Sequence, residues 1–173
     1  MSEGLMAFDL NRRSSFPLYP IGVDYSDGSG NLYRSLHVST ASVAGVAGAT
    51  ALWDASGGAK DSLITFDTSD VSASDWELEA AGIALGTSAA GDWIFVQTSG
   101  VYATAQISHG TGLLSAKAGQ AIVPDITDGY AKAHSYTQAG ATLPELRRAE
   151  KVFGYLLADA ASSTAPVKLK LPR

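Results

Sequence analysis

Hydrophobic and polar positions along this chain alternate in twos far more often than they recur at three and four. The longest such pattern runs from Gly91 to Ile107. Within it Trp93, Phe95 and Gln97 fall on one face of an extended strand, and Ile94, Val96 and Thr98 on the other. β-Branched and aromatic residues dominate, which suits a pleated, half-buried surface. Ser99-Gly100 interrupts the run, and Val101 to Ile107 resumes it at once. Two strand-like runs separated by about two turn residues predict a β-hairpin, with Trp93, Phe95 and Val96 in the core.

The same alternation predicts further strands. Leu32, Arg34, Leu36 and Val38 alternate with Tyr33, Ser35, His37 and Ser39 over 32–40. Shorter strands are predicted over 50–53, 63–67, 119–124 (ending at Pro124), 130–136 and 167–171, with turns such as Ala55–Gly58 and Asp125–Gly129 between them. Residues 82–86 lead into the hairpin. Ser72 or Ser74 can cap a short helix through Trp76, Glu77, Leu78 and Glu79. Residues 144–160 keep some helical spacing, with Pro144 near the first helical position, but Val152 to Leu157 also fits a buried strand. Gly154 disfavours helix and tips the balance to a strand from Lys151. No fixed-period repeat is evident. The expected fold is mainly β, an antiparallel sandwich or barrel with at most one or two short helices.

Residues 1–31 form an extended N-terminal arm, and residues 32–173 a single β-domain. Pro17 and Pro20 enforce extended geometry at and before themselves. Phe16, Leu18, Tyr19 and Ile21 are too apolar for a free tail, so the arm must dock on its own domain or on a neighbour. Asp27-Gly28-Ser29-Gly30 is a turn signal. It has too few oxygen ligands for a calcium loop and lacks the terminal glutamate.

Composition narrows the function. The 173 residues contain no cysteine, so disulfides and thiolate metal sites are excluded. The formal net charge is −5, which argues against the basic footprint of a nucleic-acid binder. No stretch approaches 18 apolar residues, so no transmembrane helix is predicted, and Met1 to Leu10 lacks the layout of a secretory signal. Charge is uneven: eight acidic residues against Lys60 alone over 54–92, and six basic against three acidic over 145–173. Such runs are ordinarily two solvated faces. The sharper reading is complementary patches that meet between subunits.

Catalytic and cofactor motifs are missing. His37, His109 and His134 lie too far apart for an HExxH-type metal site, no Gly-x-Ser-x-Gly elbow occurs, and neither a P-loop nor GxGxxG is present. No catalytic, cofactor-binding or metal-binding residue is assigned, and no enzyme is expected. Trp53, Trp76 and Trp93 can be proposed as a sugar-binding face. Trp76, between Asp75 and Glu77, is the best candidate for an exposed ring, which more often marks an interface.

Several segments resemble small head proteins of tailed bacteriophages. They are Ala81-Gly-Ile-Ala-Leu-Gly86, then Ala90-Gly-Asp-Trp-Ile-Phe-Val-Gln-Thr-Ser-Gly100, then Gly119–Pro124, the Asp128-Gly129 turn, Phe153–Ala158 and Val167–Leu171. The resemblance spans about residues 32–171 and is sharpest at Val96-Gln97-x-x-Gly100. The linker over 133–148 is longer than the pattern has, and the arm lies outside it. The resemblance implies a capsid decoration, or cement, protein on the virion surface. Its partner would be the major capsid protein, its state a homo-oligomer with a trimer favoured, and its chemistry free of catalysis, cofactors, nucleic acid or membrane. Phe16, Leu18, Tyr19, Ile21 and Trp76 are the expected partner contacts. The alternatives are another virion β-protein, such as a head fibre base or a tail component, and a carbohydrate-binding β-module.

Overall fold

The computed structural model describes residues 9–54, 62–70, 78–108, 116–134, 150–160 and 162–171. Ten strands run through them: β1 (Asp24–Ser26), β2 (Leu32–Val38), β3 (Thr50–Trp53), β4 (Leu63–Thr65), β5 (Ala80–Ala84), β6 (Trp93–Gln106), β7 (Ala121–Pro124), β8 (Ala131–Ala133), β9 (Gly154–Leu156) and β10 (Thr164–Lys170). The fold is mainly β, as the alternation predicts. Thr68–Asp70 makes a single 3₁₀ turn. The helix expected over 72–79 lies outside the described residues except for Leu78 and Glu79, which are irregular. Of the ambiguous stretch 144–160, residues 144–149 also lie outside them, and β9 occupies 154–156.

The pairings close a five-stranded barrel. β2 pairs with β4 in parallel, then β4 with β3, β3 with β5, β5 with β6 and β6 with β2, all antiparallel. Leu36, Val38, Ala51, Ile64, Ile94 and Val96 fill it. β1 is laid against the outer edge of β2, so the arm docks on its own domain at this point.

The remaining strands repeat that plan. The second half of β6 pairs with β10, β10 with β9, β9 with β7 and β7 with β8, all antiparallel. β8 returns to the end of β6 through a parallel bridge, Ile107 to Ala131, and the Ser108 amide donates to the Ala131 carbonyl at 2.7 Å. In the first barrel the Ser39 amide donates to the Ile64 carbonyl at the same length. The register makes Val38 equivalent to Ile107, Gly48 to Gly119, Asp54 to Asp125, Gly82 to Gly154 and Val96 to Val167. Gly48 and Gly119 share a φ of 84° and donate to Ala84 and Leu156 carbonyls, respectively, both at 2.8 Å. The chain therefore carries an internal duplication that its sequence hides. Equivalent core positions trade volume, Leu36 for Ala105, Ala51 for Ile122, Phe66 for Ala133 and Ala84 for Leu156, so each barrel is filled by a different set of large and small residues.

The hairpin expected over 91–107 is a single 14-residue strand. Ser99 lies opposite Leu32 on one side and Lys170 on the other, so β6 passes from the first barrel to the second without reversing. Gly100 permits the passage: its φ is 96°, and a β-carbon there would overlap Asn31 Oδ1. The stretch 82–86, expected only as a lead-in, holds most of a strand, β5, whose small residues hide its pattern. A β-carbon at Gly82 would lie 2.7 Å from the Gln97 carbonyl, and one at Gly154 2.6 Å from that of Lys168. Pro166 sits inside β10 at a β-bulge, where the ladder needs no amide.

Candidate functional site

Two features stand out on this scaffold, the arm and a cleft at the mouth of the first barrel. The arm is pinned by backbone. Ser14 exchanges both backbone hydrogen bonds with Trp93, at 3.0 and 2.7 Å, and the Leu18 amide donates to Ser35 Oγ at 3.1 Å. Tyr19 sits edge-on to Tyr25, with ring centroids 5.7 Å apart. Leu18 and Tyr19 are thus half-buried against their own domain. Phe16, at 73% exposure, Ile21, at 52%, and Val23, at 45%, face solvent. The expected contacts therefore divide, and Val23 joins the outward set although nothing in the sequence distinguishes it. Trp76 lies outside the described residues.

The turn at the end of the arm is held from within. Ser29 donates to Asp27 Oδ1 through its hydroxyl at 2.6 Å and its amide at 2.8 Å, and Tyr33 donates its hydroxyl to Asp27 Oδ2 at 2.8 Å. The Ser29 hydroxyl, and after it Tyr33, hold the Asp27 carboxyl well below the usual carboxylate range. Burial and the Asp27 hydrogen bond push the Tyr33 phenol up to about 12. Among the described residues no group of three or more His, Asp or Glu side chains is arranged to hold a metal ion. His37 reaches the Gly91 carbonyl at 3.1 Å and stacks on Trp93, ring centroids 5.0 Å apart. Trp93, expected in the core, is only half-buried, because it lies where β6 begins and covers His37; Phe95 and Val96 are buried.

The segment Val96-Gln97-x-x-Gly100 builds the joint of β6. Gln97 is buried, and its Nε2 donates to the Ser99 and Val101 carbonyls at 3.0 and 3.1 Å. Asn31 Oδ1 accepts from the Val101 amide at 3.1 Å. Two side-chain amides thus satisfy a backbone edge that no strand among the described residues covers, on the side where β1 covers the equivalent part of β2.

The cleft has a volume of about 310 Å³ and opens where the first barrel meets Lys151–Phe153. Arg34, Trp53, Ala81 and Thr98 line it from the barrel, and Asp24, Glu79, Glu150 and Lys151 stand around its rim. Arg34 Nε donates to Asp24 Oδ1 at 3.0 Å, and Lys151 Nζ lies 3.4 Å from Glu79 Oε2. The second pair joins the acid-rich stretch of the sequence to the base-rich one within a single chain. The charge asymmetry is met here internally, although an exposed pair of this kind contributes at most about 1 kcal/mol.

Compared with known proteins, the chain matches no family model and no curated sequence.

Proposed function

We propose that this chain is a virion structural protein, a decoration protein that binds the outside of a tailed-phage capsid and stabilises the shell. One observation carries the reading: an arm held in place by backbone hydrogen bonds presents Phe16, Ile21 and Val23 to solvent. An extended strip ordered before binding loses little conformational entropy on docking, so its apolar contacts translate efficiently into affinity. A protein that binds the assembled lattice and not its loose subunits stabilises the lattice by mass action. The resemblance at Val96–Gly100 points the same way, and the duplicated barrel supplies a rigid base for the arm.

The test is co-sedimentation with empty capsids. The double variant F16D/I21D leaves the core intact and is expected to lower occupancy at least tenfold. Undiminished occupancy would remove the arm as the anchor. Mass spectrometry of separated heads and tails is expected to find the protein with heads; recovery with tails alone would replace this reading with a tail component.

A further inference from the structure

The duplication provides an internal control for the cleft. Register makes Arg34 equivalent to Tyr102, Trp53 to Pro124, Ala81 to Phe153 and Thr98 to Leu169. In the second barrel Phe153 and Leu169 belong to the buried core, with Tyr102 packed against it. In the first barrel the same end carries alanine and threonine where its twin has phenylalanine and leucine, and a cavity of about 310 Å³ opens there. A volume of this size is at the lower bound of ligand sites, and barrel mouths are a common place for them. The scaffold can be plugged at this point, and one copy is.

From this contrast we infer that the mouth of the first barrel is a binding site for a neutral polyhydroxylated ligand, a saccharide. The polar groups come as donor–acceptor couples. Arg34 spends its Nε on Asp24, and its two terminal nitrogens have no partner among the described residues. Asp24 contributes acceptor oxygen beside that donor, and Lys151 with Glu79 repeats the arrangement across the rim. A hydroxyl both donates and accepts, so a sugar can bridge such a couple without breaking it. Half-buried Trp53 contributes an aromatic surface beside them, suited to the apolar face of a sugar ring. An anion would meet three carboxylates, Asp24, Glu79 and Glu150. Among the described residues a cation would find one unspent carboxylate, the exposed Glu150, and would otherwise compete with Arg34 or Lys151 for a partner already engaged.

The inference shares Asp24 with the arm but does not rest on the exposed Phe16, Ile21 and Val23, and its test separates the two. The intact protein is titrated with neutral mono- to tetrasaccharides of gluco, galacto and manno configuration, with sialylated and sulfated glycans and a lysine-rich peptide as charged arms. Saturation-transfer NMR and calorimetry give the readout. At least one neutral saccharide is expected to bind, and T98L, which copies the other barrel's residue into this mouth, is expected to weaken it at least tenfold. W53A should do the same, and T98L keeps the test valid if W53A does not fold. Capsid occupancy should be unchanged in T98L. The inference is overturned if no neutral saccharide binds at millimolar concentration, if binding survives T98L, or if only the charged probes bind.

Discussion

At the scale of single residues, equivalent positions in the two barrels allow one substitution to be compared with itself. Gly48 and Gly119 share a φ of 84°, a left-handed conformation in which any other L-residue is strained. A β-carbon at Gly119 meets nothing within 4 Å, whereas one at Gly48 would overlap the Thr104 carbonyl of β6. Gly119→Ala should therefore cost only the conformational penalty, about 1–2 kcal/mol, and Gly48→Ala clearly more. Urea unfolding of the two variants checks the order, and equal losses would mean that the barrels do not approach each other at Gly48 as described. Tyr33 has a pH signature. Its phenol titrates near 12 in the folded protein, against about 10 when unfolded. A raised folded-state value favours the protonated form, so this contribution to stability is complete below about pH 10 and is lost as pH rises toward 12. Tyr33→Phe should flatten the alkaline fall in stability, and the tyrosinate absorbance titration should lose its component near pH 12. Asp27 works in the opposite sense: its depressed carboxyl stabilises at neutral pH, and the contribution disappears as pH falls through the acid range.

At the scale of elements, β6 shows what a sequence pattern can and cannot disclose. The strand character of 93–98 and 101–106 is legible, because alternation and β-branched residues report a half-buried pleated surface whatever lies next to it. The connection is not legible. Ser99-Gly100 carries the local chemistry of a turn, and only Asn31, distant in sequence, reveals that Gly100 lets one strand bend past another chain segment. β5 escaped for a related reason. Its Ala-Ala-Gly-Ile-Ala has little strand propensity and is held by neighbours on both sides, β3 and β6. The duplication stayed hidden because volume exchange between equivalent core positions erases the residue identities a repeat search needs. The cleft is its by-product: Trp53 stood out as an aromatic, whereas Arg34 and Thr98 look like ordinary strand residues until their partners in the second barrel are known. The joint itself is testable. Asn31→Ala leaves the Val101 amide without its acceptor, so hydrogen exchange at Val101 should accelerate at least tenfold while amides in the middle of β2 keep their protection. Unchanged protection at Val101 would show that the side-chain amide is not its partner in solution.

At the scale of the molecule, two barrels that share a strand cannot be two independent folding units. β6 contributes Ile94 and Val96 to the first core and Ala105 to the second. The joining goes further at β5, which belongs to the first barrel but buries Ala80 and Ile83 among the core residues of the second. Loss of the second barrel would strip β6 of β10 and expose Ile83, and loss of the first would leave β6 without β2. Thr68 adds a polar tie, its amide donating to Asp128 Oδ1 at 2.9 Å across the two turns. Thermal unfolding is therefore expected as one transition, with calorimetric and van't Hoff enthalpies equal. Ile83→Ala is the discriminating variant. Removing a fully buried isoleucine should cost about 2–5 kcal/mol, and because that side chain lies between the barrels it should lower a single melting temperature, leaving the transition undivided. If the variant splits the melt into two steps, the barrels are separable domains and β6 is a linker between them. A single displaced transition makes the duplicated barrels one cooperative unit, the condition under which the docking proposed for the arm would stabilise both barrels together.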